Sequence, residues 1–182
     1  MSRVILLNGV GSAGKTSIAQ ALQQLSSTPL VHVQMDAFLE MLPPRSFDTP
    51  EGLSFRTLEI EGPPQVEVTS GPVARRLFAG MRRAIAALAD EGNDLVVDDV
   101  LLSGDAETYR RLLSAHDLRL VGVFAPLEVL EARERARGDR MIGLARWQFD
   151  RVHGQIAYDL TLDTSRSTPE ACAAAIVEAF GL

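Results

Sequence analysis

Lys15 is the only lysine in the chain; the other 17 of its 18 basic residues are arginine. An arginine fork is wide and planar, whereas an ammonium is a compact charge on a flexible stem. A lysine kept in so arginine-rich a chain marks a place where space is tight. It falls within Gly9, Val10, Gly11, Ser12, Ala13, Gly14, Lys15 and Thr16, a string that satisfies G-x-x-x-x-G-K-[ST]. The glycines let the backbone turn tightly, so that its N–H groups converge on an anion at the start of the following helix. In this pattern the lysine reaches the β- and γ-phosphates of a nucleotide and the threonine hydroxyl takes Mg²⁺. The P-loop, through Ser17, is therefore expected to bind ATP with Mg²⁺.

Three further sets of residues have chemistry to offer. Asp36 follows the apolar run 30–35, where a strand ends and a helix begins. Alone it reads as a helix N-cap; at the carboxyl end of a strand beside a P-loop it also lies where an acceptor hydroxyl would arrive. Asp98 and Asp99 end the apolar run 94–100, and charges belong at the carboxyl end of a strand covered on both faces. Their side chains should point to opposite faces, so one of the two, with Asp98 slightly preferred, is expected to hold Mg²⁺. Arg133, Arg137 and Arg140 share one helical face if the helix persists through Gly138. That face reads either as a solvated surface paired with Glu131 and Glu134 or as an arginine lid over a transferring phosphoryl group.

The elements that must position these groups alternate. Strands are expected at Arg3–Asn8, 30–35, 94–100, 118–124 and 158–163, and helices at Lys15–Leu25, 73–91, 106–115, 126–137 and 142–152. Pro126 reads as a first helical residue, and Thr168, Pro169 and Glu170 open a last helix as N-cap, N1 and first-turn acid. The rhythm predicts an α/β fold with a parallel sheet and right-handed crossovers. Segment 43–72 breaks it, with six of the nine prolines and two short alternating runs, 58–61 and 65–69. So long a loop inside a compact domain is either a surface insertion or a substrate cover.

Composition narrows the function. With 182 residues and 46% hydrophobic content, one domain spanning 1–182 can bury a core. No apolar run is long enough for a membrane span and no secretory signal opens the chain. The single cysteine, Cys172, cannot form an internal disulfide and reads as a small core residue, which fits a cytoplasmic protein. A net charge of −6 and 5% aromatic content leave no footprint for nucleic acid or anionic membrane. The three histidines are scattered, without zinc spacing. A GTPase's Asn-Lys-x-Asp element would need a second lysine, and the motor and transporter ATPases need longer domains. The small-kinase group remains.

The strings ILLNGVGSAGKTS, VQMDAF, VVDDVLL and the arginine-rich EARERARGDR, with the closing YDLTLDTS and STPEA, resemble the chloramphenicol phosphotransferase family from residue 3 to about 175. The resemblance implies a P-loop kinase fold: a five-stranded parallel sheet flanked by helices in three α/β/α layers. It implies an ATP-dependent O-phosphotransferase in which Asp36 is the base for an acceptor hydroxyl and Arg133, Arg137 and Arg140 form a lid within 126–153. By analogy with related small kinases, Asp163, Thr164 and Ser165 would lie near the adenine. Little of 43–72 matches the family's acceptor-contacting region. The acceptor therefore stays open between chloramphenicol and another hydroxylated metabolite or a nucleotide sugar. A regulator that binds nucleotide without catalysis is the alternative of a different class.

Overall fold

The computed structural model describes residues 1–102, 104–138 and 141–182. The first strand, β1 (Arg3–Asn8), is buried at every position after Arg3. A strand without polar alternation has both faces covered, as in a parallel sheet. It is followed by α1 (Lys15–Leu25), β2 (Leu30–Gln34), α2 (Met35–Leu39), and an antiparallel hairpin of β3 (Leu53–Thr57) and β4 (Val66–Ser70). The chain continues through α3 (Pro72–Asp90), β5 (Asp94–Asp99), α4 (Asp105–Leu112), β6 (Asp117–Phe124), α5 (Leu127–Arg137), α6 (Leu144–Phe149), β7 (Leu160–Asp163) and α7 (Pro169–Phe180).

Five of the strands form one parallel sheet in the order β2-β5-β1-β6-β7. Alternate residues of β1 feed two different cores. Ile5 and Leu7 pack with Ile18 and Leu22 of α1 and Ile176 of α7 on one face. Val4 and Leu6 pack with Met81 and Ile85 of α3 and Tyr109 of α4 on the other. The outcome is the P-loop kinase fold, a sheet between two helical layers. Because the strands are parallel, their carboxyl ends share one edge. That edge carries the glycine loop after β1, Asp36 after β2, Asp98 and Asp99 of β5, and Thr164 after β7.

Several local expectations are corrected. Asp36 is not the N-cap of α2; β2 runs directly into the helix, so Gln34 takes the cap position and Asp36 sits in the first turn. Pro126 is likewise one residue earlier than expected, an N-cap with extended backbone rather than the first helical residue. The segment 43–72 is not an unstructured loop. Its first strand is Leu53–Thr57, which lies before the alternating run 58–61, and Thr57 pairs with Val66, where β4 begins. α5 stops at Arg137, where Gly138 turns left-handed at φ 71°. The helix therefore does not persist through Gly138, and the expected role of Arg140 lies outside the described residues. Among the described residues, no helix is long and apolar enough to cross a membrane.

Candidate active site

β1 delivers the chain into the glycine loop with no room to spare at Gly9. A Cβ there would meet the carbonyl oxygen of Val123 on β6 at 2.5 Å. Gly14, at φ 92°, forms the left-handed cap from which α1 starts. Val10 and Ala13 are buried beneath the loop. Gly11, Ser12, Gly14, Lys15, Thr16 and Ser17 face a cavity of about 500 Å³. Lys15 is 8% exposed, and its ammonium donates to the carbonyls of Gly9 at 2.8 Å and Val10 at 3.2 Å.

The two acids of β5 part company, as strand alternation requires. Asp98 turns towards α1: its Oδ2 accepts the Thr16 hydroxyl at 3.0 Å and lies 3.0 Å from His32 Nε2. Gln34 in turn meets His32 Nδ1 at 3.2 Å, which fixes the ring from behind. Asp99 turns towards α4, accepting the Tyr109 hydroxyl at 2.8 Å and the Val100 N–H at 2.7 Å. Burial pushes its carboxyl above the usual range, partly offset by those two hydrogen bonds and by Arg82. Burial, with the Asp99 carboxylate beside it, pushes the Tyr109 phenol well above its ordinary value.

A second cavity, of about 470 Å³, opens beside the first. Its walls are mostly apolar: Leu53 and Phe55 of β3, Val68 of β4, Phe78 of α3 and Trp147 of α6. Arg82, paired with Asp105 at 2.8 Å, and Arg75 bring charge to it. The two cavities share Met35, Asp36, Asp99, Val100, Leu144 and Gln148. Asp36 thus stands in the partition between a glycine-loop cavity and an apolar one.

A match to the model of chloramphenicol phosphotransferase-like proteins covers residues 2–181. The chain belongs to that family. A Mycobacterium tuberculosis protein that carries the name O-phosphotransferase provisionally is 34% identical over 173 residues, 92% of this chain and 76% of the relative. Among solved structures, the APS kinase of Mycobacterium tuberculosis in complex with AMPPNP and APS superposes with a TM-score of 0.66 at 16% identity, covering 100% of this chain and 98% of that one. A Janibacter sugar kinase gives 0.64 at 20% identity, covering 100% and 95%. The tunicamycin resistance protein of Deinococcus radiodurans gives 0.64 at 20% identity, covering 100% and 97%. These likenesses establish the fold. With family membership they make the chain a P-loop phosphotransferase that acts on a hydroxyl of a small molecule.

In this family member the arginine-bearing helix is tied to the glycine loop. Arg133 donates to Thr164 Oγ1 at 2.9 Å and to its carbonyl at 2.8 Å, and Thr164 Oγ1 donates to the Ala13 carbonyl at 3.0 Å. Arg133, Arg137 and Thr164 all line the larger cavity. Asp163 and Ser165 do not join its wall; Asp163, the last residue of β7, accepts from the Ser165 N–H and hydroxyl in the turn that follows. Those Ser165 hydrogen bonds hold the Asp163 carboxyl below its usual range.

Gln148 and Asn8 escape sequence reasoning, and Glu134, expected as a surface partner of the arginines, is buried. Gln148 accepts the Gly11 N–H at 2.7 Å. Glu134 accepts the N–H groups of Gly143 and Ala145 at 2.8 and 2.7 Å, joining α5 to the start of α6. Asn8, fully buried, accepts the Leu101 N–H at 2.8 Å and donates to the Val152 carbonyl at 2.9 Å and the Tyr158 hydroxyl at 2.6 Å. Only Asn8 left a signal, a polar residue closing an otherwise apolar strand. His32, dismissed as a metal ligand, gains a different place as the neighbour of Asp98.

Proposed function

We propose that the chain transfers the γ-phosphoryl of ATP to a hydroxyl of a small acceptor, chloramphenicol or a similar compound. ATP occupies the glycine-loop cavity, the acceptor occupies the apolar one, and Asp36 serves as general base between them. The observation that carries this reading is the presence of Asp36 in the wall common to both cavities. A carboxylate there can accept a hydroxyl proton on one side of a phosphoryl group held on the other.

In the proposed step the acceptor oxygen forms a bond to the γ-phosphorus while the bond from that phosphorus to the β,γ-bridging oxygen breaks. The hydroxyl proton passes to Asp36, and ADP leaves with the bridging oxygen's electron pair. Little covalent work falls to the protein in such a transfer, so alignment and charge stabilisation dominate. Lys15 turns from the loop carbonyls to the phosphates. Arg133 and Arg137 neutralise charge from the lid region 126–153. Thr164 bounds the nucleotide cavity between Arg133 and Ala13, and Asp163 and Ser165 shape the turn from which it projects.

Thr16 and Asp98 suit Mg²⁺, offering a hydroxyl and a carboxylate oxygen 3.0 Å apart. Mg²⁺ usually takes one or two protein oxygens and completes its shell with water and phosphate, and it would supply charge neutralisation along the triphosphate. Asp99, with both oxygens already accepting hydrogen bonds, is less suited to the ion and instead anchors α4 beside the acceptor. The hairpin of segment 43–72 acts as the acceptor's cover within a single 1–182 domain, supported by Leu53, Phe55 and Val68 in the cavity wall.

Arg75, Arg82 and Asp105 support a second reading, a hydroxylated metabolite with more polar substituents. The test is incubation with ATP, Mg²⁺ and a panel containing chloramphenicol, sugars and nucleotide sugars, followed by mass spectrometry for a phosphomonoester. ATP consumption that rises only with one of these acceptors supports the proposal. Turnover indifferent to every acceptor would leave a nucleotide-binding regulator instead.

A further inference from the structure

Gln148 sits on α6, 8% exposed, with its Oε1 on the Gly11 N–H at 2.7 Å. Gly11 belongs to the loop whose amides make the anion cradle, so a side-chain carbonyl oxygen holds a donor that a phosphate oxygen can use. Which phosphate that is follows from position. Gln148 lines both cavities, so this donor lies at the end of the nucleotide cavity that faces the acceptor. A phosphoryl group about to be transferred must occupy that end.

The helix carrying Gln148 is firmly placed. Glu134 accepts both the Gly143 and Ala145 N–H groups, and the Gly143 carbonyl accepts the Val66 N–H of the hairpin at 3.0 Å. A Cβ on Gly143 would meet the Pro64 carbonyl oxygen at 2.5 Å, so hairpin and helix approach closely here. The amide can therefore leave Gly11 by side-chain rotation while α6 stays in place.

We propose that Gln148 is the specificity-determining residue through which the site distinguishes a nucleoside triphosphate from a diphosphate. The terminal phosphate takes the Gly11 N–H, and Gln148 Oε1 is displaced from it. A diphosphate does not reach this donor and leaves the Gln148–Gly11 hydrogen bond intact. The inference rests on the larger cavity being the nucleotide site.

Calorimetric titration of ADP and of the non-hydrolysable triphosphate AMPPNP, each with Mg²⁺, tests it on the whole chain. Gln148→Met keeps the side-chain length and removes the competing acceptor. AMPPNP should then bind about fivefold tighter while ADP binding is unchanged. Gln148→Glu supplies a charged acceptor that grips the amide and repels the terminal phosphate, so AMPPNP should bind at least about tenfold weaker. ADP should change far less in that variant. A merely structural role moves both nucleotides together, and in the same direction in both variants. If one variant fails to fold, the direction of the AMPPNP-to-ADP affinity ratio in the other still decides. An unchanged ratio overturns the proposal while leaving the nucleotide site standing, provided the wild type binds both nucleotides and Lys15→Ala abolishes binding. A wild type that binds neither nucleotide overturns the site and the proposal together.

Discussion

The Thr16 hydroxyl donates to Asp98 Oδ2 at 3.0 Å, joining the first turn of α1 to the carboxyl end of β5. β1, which leads into the glycine loop before Thr16, is the neighbour of β5 in the sheet, with Leu7 in register with Asp98. The glycine loop and the acid are thus held to each other through strand pairing, and neither depends on a mobile loop for its position. His32, 7% exposed in its side chain, meets the same Asp98 oxygen and adds a second constraint.

Replacing Asp98 by asparagine keeps this shape and removes the negative charge proposed to hold Mg²⁺. Turnover should fall by about 10²–10³, the scale for losing one preorganised electrostatic contact to a transition state. The Mg²⁺ concentration for half-maximal activity should rise. Both follow from steady-state assays at graded Mg²⁺, and wild-type metal dependence in the variant would remove Asp98 from the ion's shell.

Asp36 is tested separately from nucleotide binding. Asp36→Asn should lower kcat by about 10² or more, the usual scale for a general base, with AMPPNP affinity unchanged. Near-wild-type kcat for a phosphorylated acceptor would show that the hydroxyl proton goes elsewhere.

How much of this was legible beforehand depended on whether a signal was local. β1 and α1 were readable to the residue because an apolar run, a glycine loop and a helical stripe follow one another without a gap. The last helix was readable from its start, and Thr168 does cap it by accepting the Ala171 N–H at 3.2 Å. In the hairpin the alternating run 65–69 falls on β4, whereas the run 58–61 misses β3, because Leu53–Thr57 alternates as well and nothing local chooses between the two. Gln148 carried no sequence signal at all. A glutamine within a short helix gains meaning only when α6 crosses a glycine loop 137 residues earlier in the chain.

Glu134 provides a test of how the arginine-bearing helix is anchored. The residue is 2% exposed, and its carboxylate is the acceptor for two buried N–H groups. Glu134→Ala leaves both without that partner, at roughly 2–4 kcal/mol for the pair. For a chain of this length that corresponds to a fall in Tm of about 4–16 °C. KM for ATP should also rise, because α5 carries Arg133 and Arg137 to the cavity proposed to hold ATP. Glu134→Gln keeps one acceptor oxygen and should recover part of the loss by differential scanning fluorimetry.

His153 gives stability a dependence on pH. Burial, and then the Lys15 ammonium, lower its pKa from 6.5 to about 4. The Tyr158 oxygen accepts from Asn8 Nδ2 at 2.6 Å and lies 2.8 Å from His153 Nδ1. The ring also stacks on Phe124 with centroids 3.8 Å apart. Between pH 6.5 and about 4 the unfolded chain binds this proton and the folded chain does not. His153 therefore withdraws no stability above about pH 6.5, lowers it progressively as pH falls, and adds no further loss below about pH 4. His153→Gln retains an acceptor for Tyr158 without titrating in this range. Its Tm should fall less steeply than that of the wild type from pH 6.5 to 4, and parallel profiles would mean that His153 titrates alike in the folded and unfolded chains.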